Sequence, residues 1–449
     1  MLLFLAFLVG MIITMALTPP LMRVADRLSV VDLPNERKVH TGSIPRIGGI
    51  SMVVGACIPM LLWLPLTPTV LAFLSALLIL LVFGAWDDSQ ELDYRVKFLG
   101  QFLAVFVVVF WGDVSIAVLP FAGIDPVSVW VSVPVTVLFL VGVTNAVNLS
   151  DGLDGLAAGV ALLSLGGIAL LGKLASGQDI ILACVIVAGT IFGFLRFNTF
   201  PARIFMGDTG SQFLGFSVGV FAVMLTQQVN TALNPWLPLF LVGLPIVDTL
   251  FVMTRRISQG YSPFVADKSH IHHRLLDLGL QHYEAVSAIY LSQLSYLLMA
   301  FVVRYQSDAV VLLTYLFLTS LILGVLLWLQ NKKSKLSWNR LTQRVVRIDK
   351  NERLRQLAIK ILQCGVPAYL LVGTLLLPEV PADIALSSLI LLIIMSVRLV
   401  WAQKLRFIPL RLLIFPSIAF GVYLTHQDQA SMALVSPLVR FGLFVVLLA

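Results

Sequence analysis

Runs of about 20 apolar residues recur along the whole chain, and nothing else constrains its fold as strongly. A run of that length crosses the hydrocarbon core of a bilayer as a helix, because a helix satisfies its backbone polar groups internally where no water is available. On this template spans fall at 1–18, 48–66, 69–86, 97–111, 128–145, 156–172, 180–197, 212–226, 235–254, 285–305 and 309–329. Four more fall at 357–377, 383–401, 410–424 and 430–448, after a basic stretch over 331–356. The expected fold class is all-α: a polytopic integral membrane protein with about 11 transmembrane helices in a core over 1–330 and up to about 4 C-terminal helices over 357–449. The N-terminal run "MLLFLAFLVGMIITMAL" has no basic leading segment and no clear cleavage site, so it reads as a retained first helix.

Composition agrees. Hydrophobic residues make up 59% of the chain and charged residues 12%, against roughly 25% charged in soluble domains. Cys57, Cys184 and Cys364 each lie inside an apolar run and read as small core residues, not a disulfide frame or metal site. The net charge of +7 raises nucleic acid as a partner, but its distribution excludes that reading. Arg23, Arg27, Arg37, Lys38, Arg46, Arg95, Lys97, Arg196, Arg203, Arg255, Arg256, Lys268 and Arg274 fall in alternate connections. The ten basic residues from Lys332 to Lys360 and Lys404, Arg406 and Arg411 fall on the same side, whereas the opposite connections hold little beyond Lys173 and Arg304. The positive-inside rule makes the basic side cytoplasmic, and the partner of that charge is the lipid bilayer.

This topology sends the polar clusters to one membrane face. They are "RKVHTGSIPRIGG" (37–49), "DDSQELDYRVKFLGQ" (87–101), "NAVNLSDGLDGLAAG" (145–159), "RFNTFPARIFMGDTGS" (196–211) and "DKSHIHHRLLDLG" (267–279). Asp87, Asp88, Asp151, Asp154 and Asp208 all lie at the boundary, where carboxylates are costly unless paired or bound to a cation. One such Asp reads most simply as a helix cap; five on one face in Gly-rich surroundings do not. An oxygen-rich set without cysteine suits Mg²⁺, or Mn²⁺ in its place, and Mg²⁺ favours a phosphate-bearing substrate. "DGLDGLAAG" and "MGDTGS" put glycine and small residues before apolar runs, where backbone N–H groups at a helix start accept phosphate or carboxylate. Neither is a Walker loop. His270, His272 and His273 are half of the six histidines. Zinc ligation lacks a Cys or Glu at the right spacing, which leaves phosphate or sugar contacts, or a plain solvated loop. Lys97, four residues from Gln101 on one helical face, suits a snorkelling role or phosphate binding and carboxylate tuning.

Together these motifs resemble the polyprenyl-phosphate N-acetylhexosamine-1-phosphate transferases over about residues 20–330. The likeness is closest to the bacterial branch that joins UDP-N-acetylglucosamine to undecaprenyl phosphate at the start of O-antigen, common antigen, capsule or teichoic acid synthesis. "HIHHRLLD" departs from the peptidoglycan branch, where three successive histidines are closely followed by Glu. The resemblance implies transfer of a sugar-1-phosphate, most simply GlcNAc-1-phosphate, from a UDP-amino sugar to undecaprenyl phosphate with release of UMP. It implies Asp208 as the Mg²⁺ ligand, Asp87 with Asp88 at the lipid phosphate, and Lys97 on phosphate. Asn148 and Asp151 would line the nucleoside side, and Asp154, Asn198 and Phe205 would contact uracil. His270, His272 and His273 would help to bind sugar or diphosphate, with Lys38 a further substrate-binding residue. The site would face the cytoplasm from the bacterial inner membrane, in a chain that is compatible with a homodimer and has no nucleic-acid partner. The C-terminal helices have no counterpart in the resemblance. A transporter is the rival class, but the chain shows no internal repeat and its ionisable groups sit at one face, not at mid-membrane.

Overall fold

The computed structural model describes residues 2–28, 30–32, 43–90, 92–123, 125–262 and 270–331. The basic stretch, the four C-terminal spans and Lys38 lie outside the described residues. The described part belongs to one compact unit, Leu2–Leu336.

It is helical throughout, apart from one antiparallel ladder that pairs β1 (Val31–Asp32) with β2 (Ile44–Pro45). Helices α1 (Leu2–Leu28), α2 (Gly48–Trp63), α3 (Pro68–Gln90) and α4 (Tyr94–Phe106) are followed by α5 (Val129–Leu149), α6 (Leu156–Leu174), α7 (Gln178–Asn198) and α8 (Gly207–Met224). Then come α9 (Leu237–Leu241), α10 (Gly243–Ser258), α11 (Ile271–Asp277), α12 (His282–Val303) and α13 (Asp308–Asn331). Both α4 and α8 end in a π-helical turn, Val107–Trp111 and Leu225–Val229. Nine helices among the described residues are long and apolar enough to cross a bilayer, and Gly48–Trp63 is a shorter apolar helix. The chain is an all-α, multi-pass membrane protein.

The centre is α8. Its spanning window is 94% buried, where that of α13 is 11% buried. Lipid tails are as apolar as leucine, so membrane helices associate through close packing of small residues. On α8 these are Gly207, Thr209, Gly210, Ser211, Gly215, Ser217, Gly219 and Ala222, and α2, α3, α5 and α6 pack on them. Contact is tightest where Gly49 of α2 meets Gly210: a Cβ on Gly49 would overlap the Gly210 backbone.

One expected span is broken. The run 235–254 forms two helices, α9 and α10, interrupted at Val242. The cause is local. Pro245 lacks an N–H, and its ring clashes with the carbonyl four residues back, that of Leu241. Gln293 of α12 repairs the break: its Nε2 donates to the Leu241 carbonyl at 3.0 Å, and its Oε1 accepts from the Leu244 N–H at 3.0 Å. Gln293 is fully buried, so both backbone groups would otherwise be unpaired in an apolar interior.

Candidate active site

The C-terminal ends of α3, α5 and α7 and the N-terminal ends of α4, α6 and α8 meet at one end of the bundle. The first group there is Asp87, Lys97, Asn148 and Asp208, drawn from four helices. Lys97 Nζ lies 2.6 Å from Asp87 Oδ2 and 3.0 Å from Asp208 Oδ2. Asn148 Nδ2 donates to Asp208 Oδ1 at 3.1 Å and to Ser211 Oγ at 2.7 Å. One turn further along α4, Gln101 pairs with Asn145 of α5, its Oε1 accepting from Asn145 Nδ2 at 2.6 Å. Asn148 and Lys97 therefore fix the Asp208 carboxylate from two sides.

Asp88 builds the backbone under Asp208. Its Oδ1 accepts from the Asp208 N–H at 2.7 Å, and its Oδ2 from the Thr209 N–H at 3.2 Å and hydroxyl at 2.7 Å. A carboxylate at a helix start pairs N–H groups that the helix leaves orphaned. Gly207 enters α8 with φ +68, and a Cβ there would run into the Asp88 carboxylate. Asp88 and Asp208 both line a cavity of ≈ 640 Å³, together with Asn148, Asp151, Asp154, Asn198, Phe205 and His273.

Several residues stand differently from the sequence expectation. Asp87 is buried and not among the cavity-lining residues; Lys97 holds one oxygen, and the Leu92 N–H donates to the other at 2.7 Å. It is placed to position Lys97. Asn198 lines the cavity, but both ends of its amide are engaged: Oδ1 accepts from Gly155 N–H at 2.9 Å and Nδ2 donates to the Ile204 carbonyl at 2.8 Å. It braces the start of α6 against the segment leading to Phe205. Asp154 lines the cavity while accepting from Ala202 N–H at 2.8 Å.

The three histidine rings contact one another in series but differ in exposure to the cavity. His270 and His272 are buried, and of the three only His273 lines the main cavity. His270 Nδ1 lies 2.9 Å from Asp248 Oδ2 of α10, and Asp248 Oδ1 accepts from the Ile271 N–H at 2.8 Å. His272 packs on the "DGLDG" loop, where a Cβ on Gly152 would strike its ring. His272 and His273 have ring centroids 4.2 Å apart, yet His272 lies against the loop whereas His273 lines the cavity. Burial, then the neighbouring His273 and His270, pushes His272 down to about 3, so its ring is neutral near pH 7.

Burial pushes the half-buried Asp151 carboxyl up to about 7; the charges of Asp208, Asp154 and Asp88 add to this, and Arg46 opposes it. Among the described residues no group of three or more His, Cys, Asp or Glu is close enough to cage a metal alone. The donor set fits an ion that takes one or two carboxylates and completes its shell with phosphate and water, as Mg²⁺ does.

Sequence reasoning passed over Asp248, Arg46, Asp32, Phe200 and His282. The last four also line the cavity, and the Phe200 and His282 rings stack with centroids 4.4 Å apart. A signal existed for Asp248: it is the one carboxylate within an otherwise apolar expected span.

The arrangement defines a carboxylate-lined cavity at one end of a membrane-spanning helical bundle. A model of glycosyl transferase family 4 matches residues 70–226. The chain is 39% identical over 290 residues, covering 64% of this chain and 80% of the relative, to a probable undecaprenyl-phosphate N-acetylglucosaminyl 1-phosphate transferase of Bacillus subtilis. It is 35% identical over 301 residues, 60% of this chain and 73% of the relative, to a decaprenyl-phosphate N-acetylglucosaminephosphotransferase of Mycolicibacterium smegmatis. To an undecaprenyl-phosphate alpha-N-acetylglucosaminyl 1-phosphate transferase of Yersinia pestis it is 30% identical over 286 residues, 60% of this chain and 76% of the relative. The chain belongs to glycosyl transferase family 4. It is an enzyme of the sugar-phosphate transferase class.

Proposed function

We propose that the chain transfers N-acetylglucosamine-1-phosphate from UDP-N-acetylglucosamine to undecaprenyl phosphate at the cytoplasmic face of the bacterial inner membrane. The observation that carries this reading is the fixed Asp208 carboxylate at a carboxylate-lined cavity whose walls come from five polar motifs at one end of the bundle. An oxygen of the lipid phosphate attacks the sugar-linked phosphorus, a new P–O bond forms, the bridging P–O bond to UMP breaks, and UMP leaves with that electron pair. One phosphoanhydride replaces another, so the residues act by positioning and by neutralising charge. Asp208 would hold Mg²⁺, which supplies positive charge at the diphosphate when bound. Lys97 and Asn148 keep that carboxylate in one orientation, and Asp88 fixes its backbone. Asp154, Asn198 and Phe205 shape the nucleoside end, and His273 is the histidine placed to meet sugar or diphosphate. The product would begin a cell-surface polysaccharide.

The test is UMP release from purified protein in nanodiscs with undecaprenyl phosphate and, in turn, UDP-GlcNAc, UDP-GalNAc and a UDP-linked diamino sugar. Fastest turnover with UDP-GlcNAc supports the reading. Preference for another sugar moves the donor assignment, and no UMP with any of them overturns the reaction.

A further inference from the structure

Arg46 is the one Lys or Arg among the described residues that line the cavity, where it faces Asp32, Asp88, Asp151, Asp154 and Asp208. Lys97 does not serve the cavity in the same way: its ammonium is taken by Asp87 and Asp208, and it is not a lining residue. A cavity this acidic repels a diphosphate unless cations offset its charge, and Arg46 is a cation of the wall itself, separate from any Mg²⁺ held at Asp208.

Arg46 is held as a built cation would be. Its guanidinium pairs with Asp32, whose side chain is 5% exposed, while that of Arg46 is 30% exposed. A guanidinium has five N–H donors in a rigid fork, and a single carboxylate engages one edge, leaving donors for a second anion. The backbone is locked too. Arg46 N–H donates to the Val30 carbonyl at 3.2 Å, and the adjoining Pro45 carbonyl accepts from Phe205 N–H at 2.8 Å. Gly48 and Gly49 N–H donate to the Phe205 and Met206 carbonyls at 3.0 and 2.9 Å. Arg46 is thus stitched to the segment that carries Phe205 and runs into Asp208.

We propose that Arg46 binds the diphosphate of the nucleotide-sugar donor and that Asp32 is its positioning residue; this rests on the UDP-sugar reading above. The donor is favoured over the lipid phosphate because the backbone partners of the Arg46 segment are those of the nucleoside wall.

The test compares wild-type full-length protein with Arg46→Gln, in nanodiscs, by calorimetric titration of uridine, UDP and UDP-GlcNAc. In Arg46→Gln the affinity for UDP and UDP-GlcNAc falls by about 10- to 100-fold, while uridine, which has no phosphate, binds within about twofold of wild type. The KM for UDP-GlcNAc rises and that for undecaprenyl phosphate holds. Arg46→Lys recovers part of the loss, since a point charge replaces the fork, and Asp32→Asn gives a smaller loss of the same kind. Unchanged UDP affinity with uridine binding intact overturns the proposal, as does a KM change confined to the lipid. Loss of uridine binding in both the Gln and Lys variants assigns Arg46 to scaffolding and overturns it too. Wild-type protein that binds none of the three ligands overturns the donor reading, and this proposal with it.

Discussion

At the residue scale, the site is a set of carboxylates with different tasks. Asp208 is held by Lys97 and Asn148 at the cavity wall, Asp88 lines the same cavity and fixes the Asp208 backbone, and Asp87 acts behind it. Asp208→Asn keeps the hydrogen-bonding shape but loses the charge. It should lower UMP release by at least about 100-fold in correctly inserted protein, and near-normal turnover would remove Asp208 from the chemistry. Asp151 makes a prediction of stability. Its carboxyl is pushed from the usual 3.8 up to about 7 in the folded protein. A raised folded value favours the folded state at low pH, and that contribution is lost as pH rises through about 7. In EDTA, wild-type protein should therefore melt lower at pH 8 than at pH 5.5, by on the order of 5 °C. Asp151→Asn, which never ionises, should flatten this slope, and Mg²⁺ at pH 8 should raise the wild-type melting temperature. An identical slope in the variant would show that Asp151 does not carry the effect.

At the element scale, two departures from ideal helices organise the functional end. Asp248 ties α10 to the short helix α11 through His270 and the Ile271 N–H, and Arg274 adds a stacking contact 4.6 Å from the Phe251 ring centre. These anchors let a seven-residue helix present His273 to the cavity. The break between α9 and α10 depends on Gln293. Gln293→Leu leaves the Leu241 carbonyl and Leu244 N–H unpaired, a cost of about 1–3 kcal/mol for each group. The expected outcome is a melting temperature lower by about 5 °C in nanodiscs; an unchanged value would mean that the break satisfies itself by another route.

At the scale of the whole molecule, the bundle is organised around α8 and every chemical motif sits at one end of it. With that end in the cytoplasm, single cysteines at Ser89 and Ser258, both exposed, should react with an impermeant thiol reagent only after the membrane is opened from the inner side. A cysteine at exposed Gln178 should react from outside in intact cells. Labelling of Ser89 and Ser258 positions from opposite sides would break the single-face arrangement.

The sequence by itself determined the membrane class, because about 20 apolar residues in a row have few other stable solutions. It also determined which connections share a face, since helix crossings alternate and basic charge is uneven. Hence Asp208, Asn148 and Lys97, more than a hundred residues apart at the extremes, were legible as groups on one membrane face. Tertiary structure decided what each polar group touches. That Asn198 is a brace, that His270 and His272 are buried, and that Arg46 faces the cavity follow from packing among α2, α6, α7, α8, α10 and α11. No local pattern encodes these contacts, because the direction of a side chain at a helix end depends on the partner that packs there. The same holds for the α9–α10 break: Pro245 announces it, but only the approach of Gln293 from α12 makes it stable in an apolar interior.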